Sequence, residues 1–499
     1  MSSKQKALII GAGVAGMACA IRLAAEHFEV TIFEKNNYPG GKLHVLEKDG
    51  YRFDTGPSFF VQPGNIEELF HLAGENIHQY LNYKALDIDC KYFYEDGTVI
   101  NAYSDLKKFS EELERKTGEP ARHLFSYLKE SKKIYVHIGE FFLNHSLHER
   151  TSWKKSDFLK ALATTRPRYI FATLHAINKR KFNSAKLVQL FDRYATYNGS
   201  NPYKAPGMLQ LIPHLECNEG VFYPEGGMIS INKALYNLAL KKGVAFRLNA
   251  PVQYIIENNK EAKGVVVNSQ NIFGDIIVSN VDAYFTYSKL LNKVFEAKKN
   301  LKQERSSSAL IFYWGVKKEF PQLGLHNIFF SRDYESEFNS IFNSKTPFDD
   351  PTVYINITSK MEPGVHAPKG KENWFVMINV PSDMKISRDE VLTAYKKNIV
   401  TKLNHILQTD IEPLIETEDI LHPKKIEEET AAYLGALYGT SSNSIKAAFL
   451  RHPNFSKDIQ RLYFTGGSVH PGGGIPLCLK SAKITADMIL RNYKKRKNE

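Results

Sequence analysis

The stretch KALIIGAGVAGMACAIRLAA, residues 6 to 25, constrains the fold more than any other part of the chain. Ala7 to Ile10 form a short apolar run suited to a buried parallel strand, and Met17, Ala20, Ile21 and Ala24 recur at helical spacing further on. Glycines 11, 13 and 16 stand between them. In a strand–turn–helix unit Gly11 turns the chain, Gly13 lets backbone approach a pyrophosphate, and Gly16 permits close helix–strand packing. The helix start, with Val14 and Ala15, then offers unpaired N–H groups to phosphate. A secretory signal or a spanning helix is the competing reading, since the basic MSSKQK precedes an uncharged run from Ala7 to Ile21. That run stops at Arg22, short of the roughly 20 apolar residues a span needs.

An acidic residue about 20 positions after the glycines, closing a second strand, completes a dinucleotide-binding pattern. VTIFE supplies Glu34, whose carboxylate suits ribose hydroxyls and repels a 2′-phosphate. An ordinary buried turn is the alternative. Beyond it, EKNNYPGGKLHVLEKDGYRFDTGPSFF is too rich in glycine for a long helix and reads as a loop hugging a ligand. Lys35 and Lys42 flank Pro39, Gly40 and Gly41 there. A glycine-rich hairpin with solvated lysines is the plainer possibility.

The middle of the chain changes character. Residues from about 104 to 200 read as mostly helical, whereas ALIFYWGV, HNIFF, VYINI and WFVMINV read as strands of a second sheet with a period of two. The end returns to glycine in LYFTGGSVHPGGGIPLCLKSAKITADMIL, a strand, a loop and an amphipathic helix from near Pro476. A nicotinamide cofactor does not need this second loop. A bulkier dinucleotide closed over by both ends of the chain, flavin adenine dinucleotide, does.

With 499 residues the chain holds two or three domains. Cys19, Cys90, Cys217 and Cys478 are scattered, with no metal-binding spacing, which predicts free thiols, a reducing compartment and no metal site. The net charge of +12 points to an anionic partner, either nucleic acid or a membrane surface. Much of the excess lies between Arg150 and Lys186, where Asp157 is the sole acid.

GAGVAG, Glu34, PGGK, FDTGPSFF and GGSVHPGGGIPLCLKSAK, in that order and spacing, resemble the carotenoid desaturases of the phytoene desaturase type, flavoproteins of the amine oxidase superfamily. The resemblance covers most of the chain. It implies an α/β fold: a Rossmann-like FAD-binding domain with an inserted α+β substrate domain, which carries a mixed sheet and a helical membrane-facing part. The expected division is FAD-binding segments at 1–100, 216–285 and 431–499, a helical region at 101–215 and a sheet-bearing substrate region at 286–430. Two positions depart from the family: Lys42 stands where arginine is common, and Gly467 where an acid or alanine is common.

By the same resemblance Gly11, Gly13, Val14, Ala15, Gly16, Glu34 and Lys35 hold the ADP half of a non-covalent FAD, and Gly41, Lys42, Gly56, Pro57, Ser58 and Phe59 lie along the flavin. Val252 contacts adenine through backbone and Asn280 closes a neighbouring strand. Gly466, Gly467, Gly474, Ile475 and Pro476 cover pyrophosphate and isoalloxazine. His470 is the sole candidate for an acid–base role, and a structural histidine is the plainer reading. The implied chemistry is removal of two hydrogens from neighbouring carbons of a polyene by hydride transfer to flavin, with oxygen or a quinone as final acceptor. FDTGPSFF resembles the branch that desaturates a hydroxylated end at carbons 3 and 4. Phytoene desaturation is the alternative, followed by carotenoid isomerisation, amine oxidation and non-redox carriage of prenyl lipids. Polyenes reside in bilayers, so the basic and aromatic residues near 150–186 are expected to dock a cytoplasmic protein peripherally on the cytoplasmic membrane, without a nucleic-acid partner.

Overall fold

The computed structural model describes residues 4–149, 166–293, 301–384 and 389–498. Strand Lys6–Ile10 runs through the first glycine loop into helix Val14–Ala25, as the glycine spacing predicts. That strand is central in a five-stranded parallel sheet. Ile276–Ser279 and then Leu462–Phe464 lie on one side, Glu29–Phe33 and then Ala245–Arg247 on the other. The sheet is therefore complete only when strands from both ends of the chain meet.

Both faces of its central strands are covered, which is why Ala7–Ile10 and Ile276–Val278 are apolar on both sides. Ala7 and Ile9 face a core shared with helices Val14–Ala25, Ile229–Lys241 and Ile475–Asn498. Leu8 and Ile10 face the opposite way, onto a three-stranded antiparallel sheet of Val252–Asn258, Glu261–Val267 and Gln270–Phe273.

A seven-stranded mixed sheet forms the second layered unit. Its order is Ile415–Leu421, Ser308–Val316, Glu372–Val380, Val353–Asn356, His326–Phe329, Ile88–Phe93 and Val99–Tyr103, and only His326–Phe329 with Ile88–Phe93 pair in parallel. The four strand-like runs of the sequence are all here. Their period of two turns out to separate two cores rather than core from solvent, because every residue of Ser308–Val316 is buried. Leu310, Phe312, Trp314 and Val316 meet the helix Asp389–Leu407. Ala309, Ile311 and Tyr313 meet the helical region, with Tyr127, Leu190 and Phe191. Trp314 and Trp374 pair across the sheet, and their indole N–H groups donate to Glu418 at 2.6 Å and Glu372 at 2.7 Å, so two large rings are buried without an orphaned donor.

The described part of 104–200 is helical, from Leu106–Thr117 and Ala121–Ile134 through Leu174–Lys181 and Ala185–Asp192. No helix among the described residues is long and apolar enough to cross a membrane.

Candidate functional site

The two glycine loops meet at Asn280. Its backbone N–H donates to Ile10 O at 2.8 Å and its Nδ2 to Thr465 O at 3.0 Å, so one residue ties the first loop to the last, which lies 185 residues beyond it. Two glycines are required by this convergence. A Cβ on Gly16 would be driven into the Gly11 carbonyl oxygen, and Gly466 has φ +111 with its Cβ direction 2.5 Å from Asn280 Nδ2. Gly13 caps the helix Val14–Ala25 with no side-chain cap, which leaves the first N–H groups directed outward for an anion.

Glu34 stands at the end of its strand, 5% exposed. Its Oε2 accepts from Ala12 N at 2.8 Å and its Oε1 from Asn36 N at 3.0 Å, which fixes the carboxylate beside the first loop. Each oxygen keeps a lone pair for a ribose hydroxyl. Ala250 N donates to Glu34 O at 2.8 Å, which brings the strand starting at Val252 alongside.

The PGGK loop is held from two directions. Asn232, on the helix Ile229–Lys241, donates from Nδ2 to Pro39 O at 2.8 Å and to Leu43 O at 3.3 Å. Lys42 reaches the other way and donates from Nζ to Leu437 O at 2.7 Å. Burial lowers the Lys42 ammonium below its ordinary pKa, against the opposing pull of Asp282. Lys35 donates to Glu428 O at 2.5 Å, so the segment 428–437 straps across the loop through both lysines. Asp54 of FDTGPSFF anchors this wall, since its carboxylate accepts from Met228 N at 2.8 Å and Ile229 N at 3.2 Å.

These elements enclose a cavity of about 1110 Å³. Gly11, Gly13, Val14, Ala15, Glu34, Lys35, Gly41, Lys42, Gly56, Pro57, Ser58, Phe59, Val252, Asn280, Gly466, Gly467, Gly474, Ile475 and Pro476 all line it. Gly16 is outside the lining and packs against the Gly11 carbonyl. His470 is also outside it: fully buried, with Nε2 bonded to His145 O at 2.9 Å and the ring edge-on to Phe142. Burial lowers its pKa to about 3, so it is neutral at ordinary pH. The donor set suits a flavin dinucleotide: two glycine loops, a helix N-terminus and a ribose-facing carboxylate. The cavity then continues along Ile311, Tyr313, Ile328, Tyr354, Phe375 and Met377, the apolar face of the seven-stranded sheet.

The same wall contains residues that carry no local sequence signal. Tyr354 OH donates to Ser58 Oγ at 2.7 Å, and Phe59 stacks on His326 with ring centroids 4.0 Å apart. Arg193, Thr196 and Tyr197 complete the lining there. In sequence they lie within a helical stretch, and only their burial against strand residues distinguishes them.

Of the basic stretch 150–186, residues 150–165 lie outside the described residues. In the remainder Lys181 pairs with Glu130 at 2.6 Å, Arg168 pairs with the same carboxylate, and Lys186 pairs with Asp96 at 2.7 Å. Part of that charge is thus balanced internally.

The family described as flavin containing amine oxidoreductase matches residues 14–490. The chain is 50% identical over 485 residues to a 1-hydroxycarotenoid 3,4-desaturase from Flavobacterium sp. (strain P99-3), covering 97% of this chain and 99% of the relative. It is 31% identical to a 4,4′-diapolycopene oxygenase from Methylomonas sp (98% and 99% covered) and 29% identical to a phytoene desaturase from Fusarium fujikuroi (98% and 90%). Among solved structures, an oxidoreductase from Methanosarcina mazei gives a TM-score of 0.62 at 15% identity, covering 97% of this chain and all of that one. A redesigned putrescine oxidase gives 0.62 at 13%, with 98% and 99% covered. At such identities the structural likeness is one of fold.

Proposed function

The chain belongs to the flavin-containing amine oxidoreductases, with FAD as cofactor, and from that premise we propose that it desaturates a 1-hydroxylated carotenoid between carbons 3 and 4. The observation that carries this reading is one continuous cavity joining the dinucleotide-binding loops to the aromatic face of the seven-stranded sheet. The Flavobacterium relative, named for that reaction, supports the choice of substrate. Bound FAD supplies a two-electron acceptor for the hydride of an allylic C–H. The protein's part is to bury the polyene against Ile311, Tyr313 and Phe375, exclude water, and hold one C–C bond at the loop Gly56–Ser58. No catalytic base is assigned, because His470 does not reach the cavity.

The cofactor is held without a covalent bond in this reading; flavin that stays with acid-precipitated polypeptide would overturn that. The protein meets the membrane peripherally. Val136, Phe171 and Leu450 are exposed at 43%, 76% and 41%, and each belongs to or adjoins an element meeting in one small cluster of Ile134, Ile138, Tyr169 and Phe449. Exposed Lys132, Lys133, Lys179 and Arg180 lie on neighbouring elements, an arrangement suited to an anionic bilayer surface.

The test is to supply holoenzyme in liposomes with a 1-hydroxylated acyclic carotenoid in one vessel and phytoene in another. A red shift worth one added conjugated double bond, in the first vessel alone, is expected. Several new double bonds from phytoene would make it a phytoene desaturase instead, and a geometric change without oxidation would make it an isomerase. Peroxide produced from an amine would mark an amine oxidase, and a polyene bound without flavin uptake would mark a carrier.

A further inference from the structure

Desaturation between carbons 3 and 4 has to place two hydrogens. The hydride leaves carbon 4, next to the conjugated chain, with its electron pair, and the proton on carbon 3 needs an acceptor. Of the carboxylates lining the cavity, Glu34 is held by two backbone N–H groups, Asp282 faces Arg305 and Asp419 faces Lys425. None of them is the partner of Ser58, the cavity-lining hydroxyl of the loop Gly56–Ser58.

Ser58 starts a hydrogen-bonded chain instead. Its Oγ lies 2.7 Å from Tyr354 OH, which lies 2.8 Å from Nδ1 of His326. Ser58 and Tyr354 both line the cavity, whereas His326 stands behind them, 2% exposed and stacked on Phe59. Tyr354 has one proton for these two neighbours. When it donates to Ser58, it must accept from a protonated Nδ1; when it donates to Nδ1, it must accept from Ser58. The two settings differ by one proton passed along the chain.

Asn356 selects the second setting while the chain is empty. Its Nδ2 donates to Leu325 O at 3.2 Å and faces His326 Nδ1, also at 3.2 Å, so Nδ1 of the neutral ring is an acceptor. Tyr354 then donates to Nδ1 and Ser58 to Tyr354, which leaves the lone pairs of Ser58 Oγ for the cavity. The far nitrogen of the ring, Nε2, has no hydrogen-bond partner among the described residues. A proton received at Nδ1 therefore leaves by the way it came.

We propose that Ser58 Oγ takes the proton from carbon 3 while its own proton passes to Tyr354 and that of Tyr354 to His326 Nδ1. The electron pair of the C–H bond on carbon 3 becomes the new π bond, and the hydride accounts for the other hydrogen and its electrons. Burial, with Arg193 nearby, lowers the imidazole pKa to about 3. So weak a base still takes a proton from a carbon cation, and it returns that proton through the chain to water once the product has left. Ser58 is the catalytic residue here, and Tyr354 and His326 are positioning residues. The assignment rests on the desaturation reading above.

The test compares wild type with Ser58→Ala and Tyr354→Phe, as holoenzyme in liposomes supplied with a 1-hydroxylated acyclic carotenoid deuterated at carbon 3 or at carbon 4. Each variant is expected to lose about 10²-fold in kcat, while the Kd of the polyene, read from its absorption shift, stays unchanged. The double variant should lose little more than either, because both changes break one chain. The isotope effect at carbon 3 should grow in each variant, a change that a merely structural role would not produce. Flavin content and melting temperature identify a variant that fails to fold, in which case the other carries the isotope comparison. A kcat loss below about threefold, an unchanged isotope effect at carbon 3, weakened polyene binding, or losses that multiply would overturn the assignment. So would a larger kcat loss in Tyr197→Phe, since the Tyr197 hydroxyl also lines the cavity and donates to Glu216. If wild type oxidises no carotenoid, the desaturation reading itself falls, and this proton path with it.

Discussion

The two halves of the cavity recognise by different means. On the cofactor side, contact is made by backbone: the loops at Gly11–Gly16 and Gly466–Gly474, a helix N-terminus, and one carboxylate at Glu34. On the sheet side the wall is made by side chains from elements far apart in sequence, such as Tyr313 and Tyr354 on strands and Arg193 on a turn, where Arg193 is held by Glu216 of a helix at 2.9 Å. Backbone recognition needs small residues at fixed spacing, so it is written locally. Side-chain recognition needs only that distant groups converge. The first kind tolerates little change at a few glycines, and the second stakes its stability on a buried charge pair.

The largest expected effect breaks the sheet side. Arg193→Met leaves Glu216 buried without its cation, and holoenzyme stability should fall by about 3–5 kcal/mol in urea titrations. Adding Glu216→Gln should recover most of that loss. A drop below about 1 kcal/mol for the single variant would mean that the pair is not the anchor its geometry indicates.

On the cofactor side, Gly16→Ala presses a methyl group against the Gly11 carbonyl. A loss of about 3 kcal/mol is expected, together with reduced flavin per polypeptide after purification. Full flavin occupancy with an unchanged melting curve would contradict the packing role given to Gly16.

Glu34→Gln removes the charge and keeps one acceptor oxygen, but its NH2 must face one of the two backbone N–H groups that Glu34 accepts from. FAD affinity should weaken by about 1–3 kcal/mol, measured by fluorescence on refilling apoprotein. Unchanged flavin retention with impaired polyene oxidation would move Glu34 from cofactor to substrate.

Each half also holds a histidine whose pKa burial lowers from 6.5 to about 3, His326 behind Phe59 and His470 behind the last glycine loop. The unfolded chain takes up these protons near pH 6.5 and the folded one does not until about 3. Stability therefore falls as pH is lowered through that window, by up to about 1.4 kcal/mol per unit for each histidine. His326→Asn and His470→Asn should each flatten the pH dependence by a similar slope. If only one does, the two environments are less alike than their burial indicates.

The smallest effect on stability is expected at Phe171, 76% exposed. Phe171→Asp should change folding by no more than about 0.5 kcal/mol while reducing sedimentation with anionic liposomes. Equal, salt-insensitive binding to neutral and anionic vesicles would remove the electrostatic part of the docking proposal.

Much of the cofactor side was legible before any coordinates, and for a definite reason. Glycines 11, 13, 466 and 474 and Glu34 follow the strand–turn–helix logic of the sequence, the family resemblance adds Asn280, and all six line the cavity. The packing partners were not legible. That Asp54 would cap the helix Ile229–Lys241, or that Lys42 would be spent on Leu437 O, follows from segments about 170 and 395 residues away. The alternating strands were correctly seen as a second sheet, but alternation cannot say whether the second face meets water or another core.

The amino-acid sequence by itself determined the fold class, the dinucleotide loops and their closure by both chain ends, because each rests on residue type at fixed local spacing. Only the tertiary structure decided that Ser308–Val316 is covered on both faces, that His470 is walled off from the cavity, and that Arg193 is buried beside it against Glu216. Those outcomes depend on which distant side chains arrive at the same place, and on whether any water is left there to satisfy them.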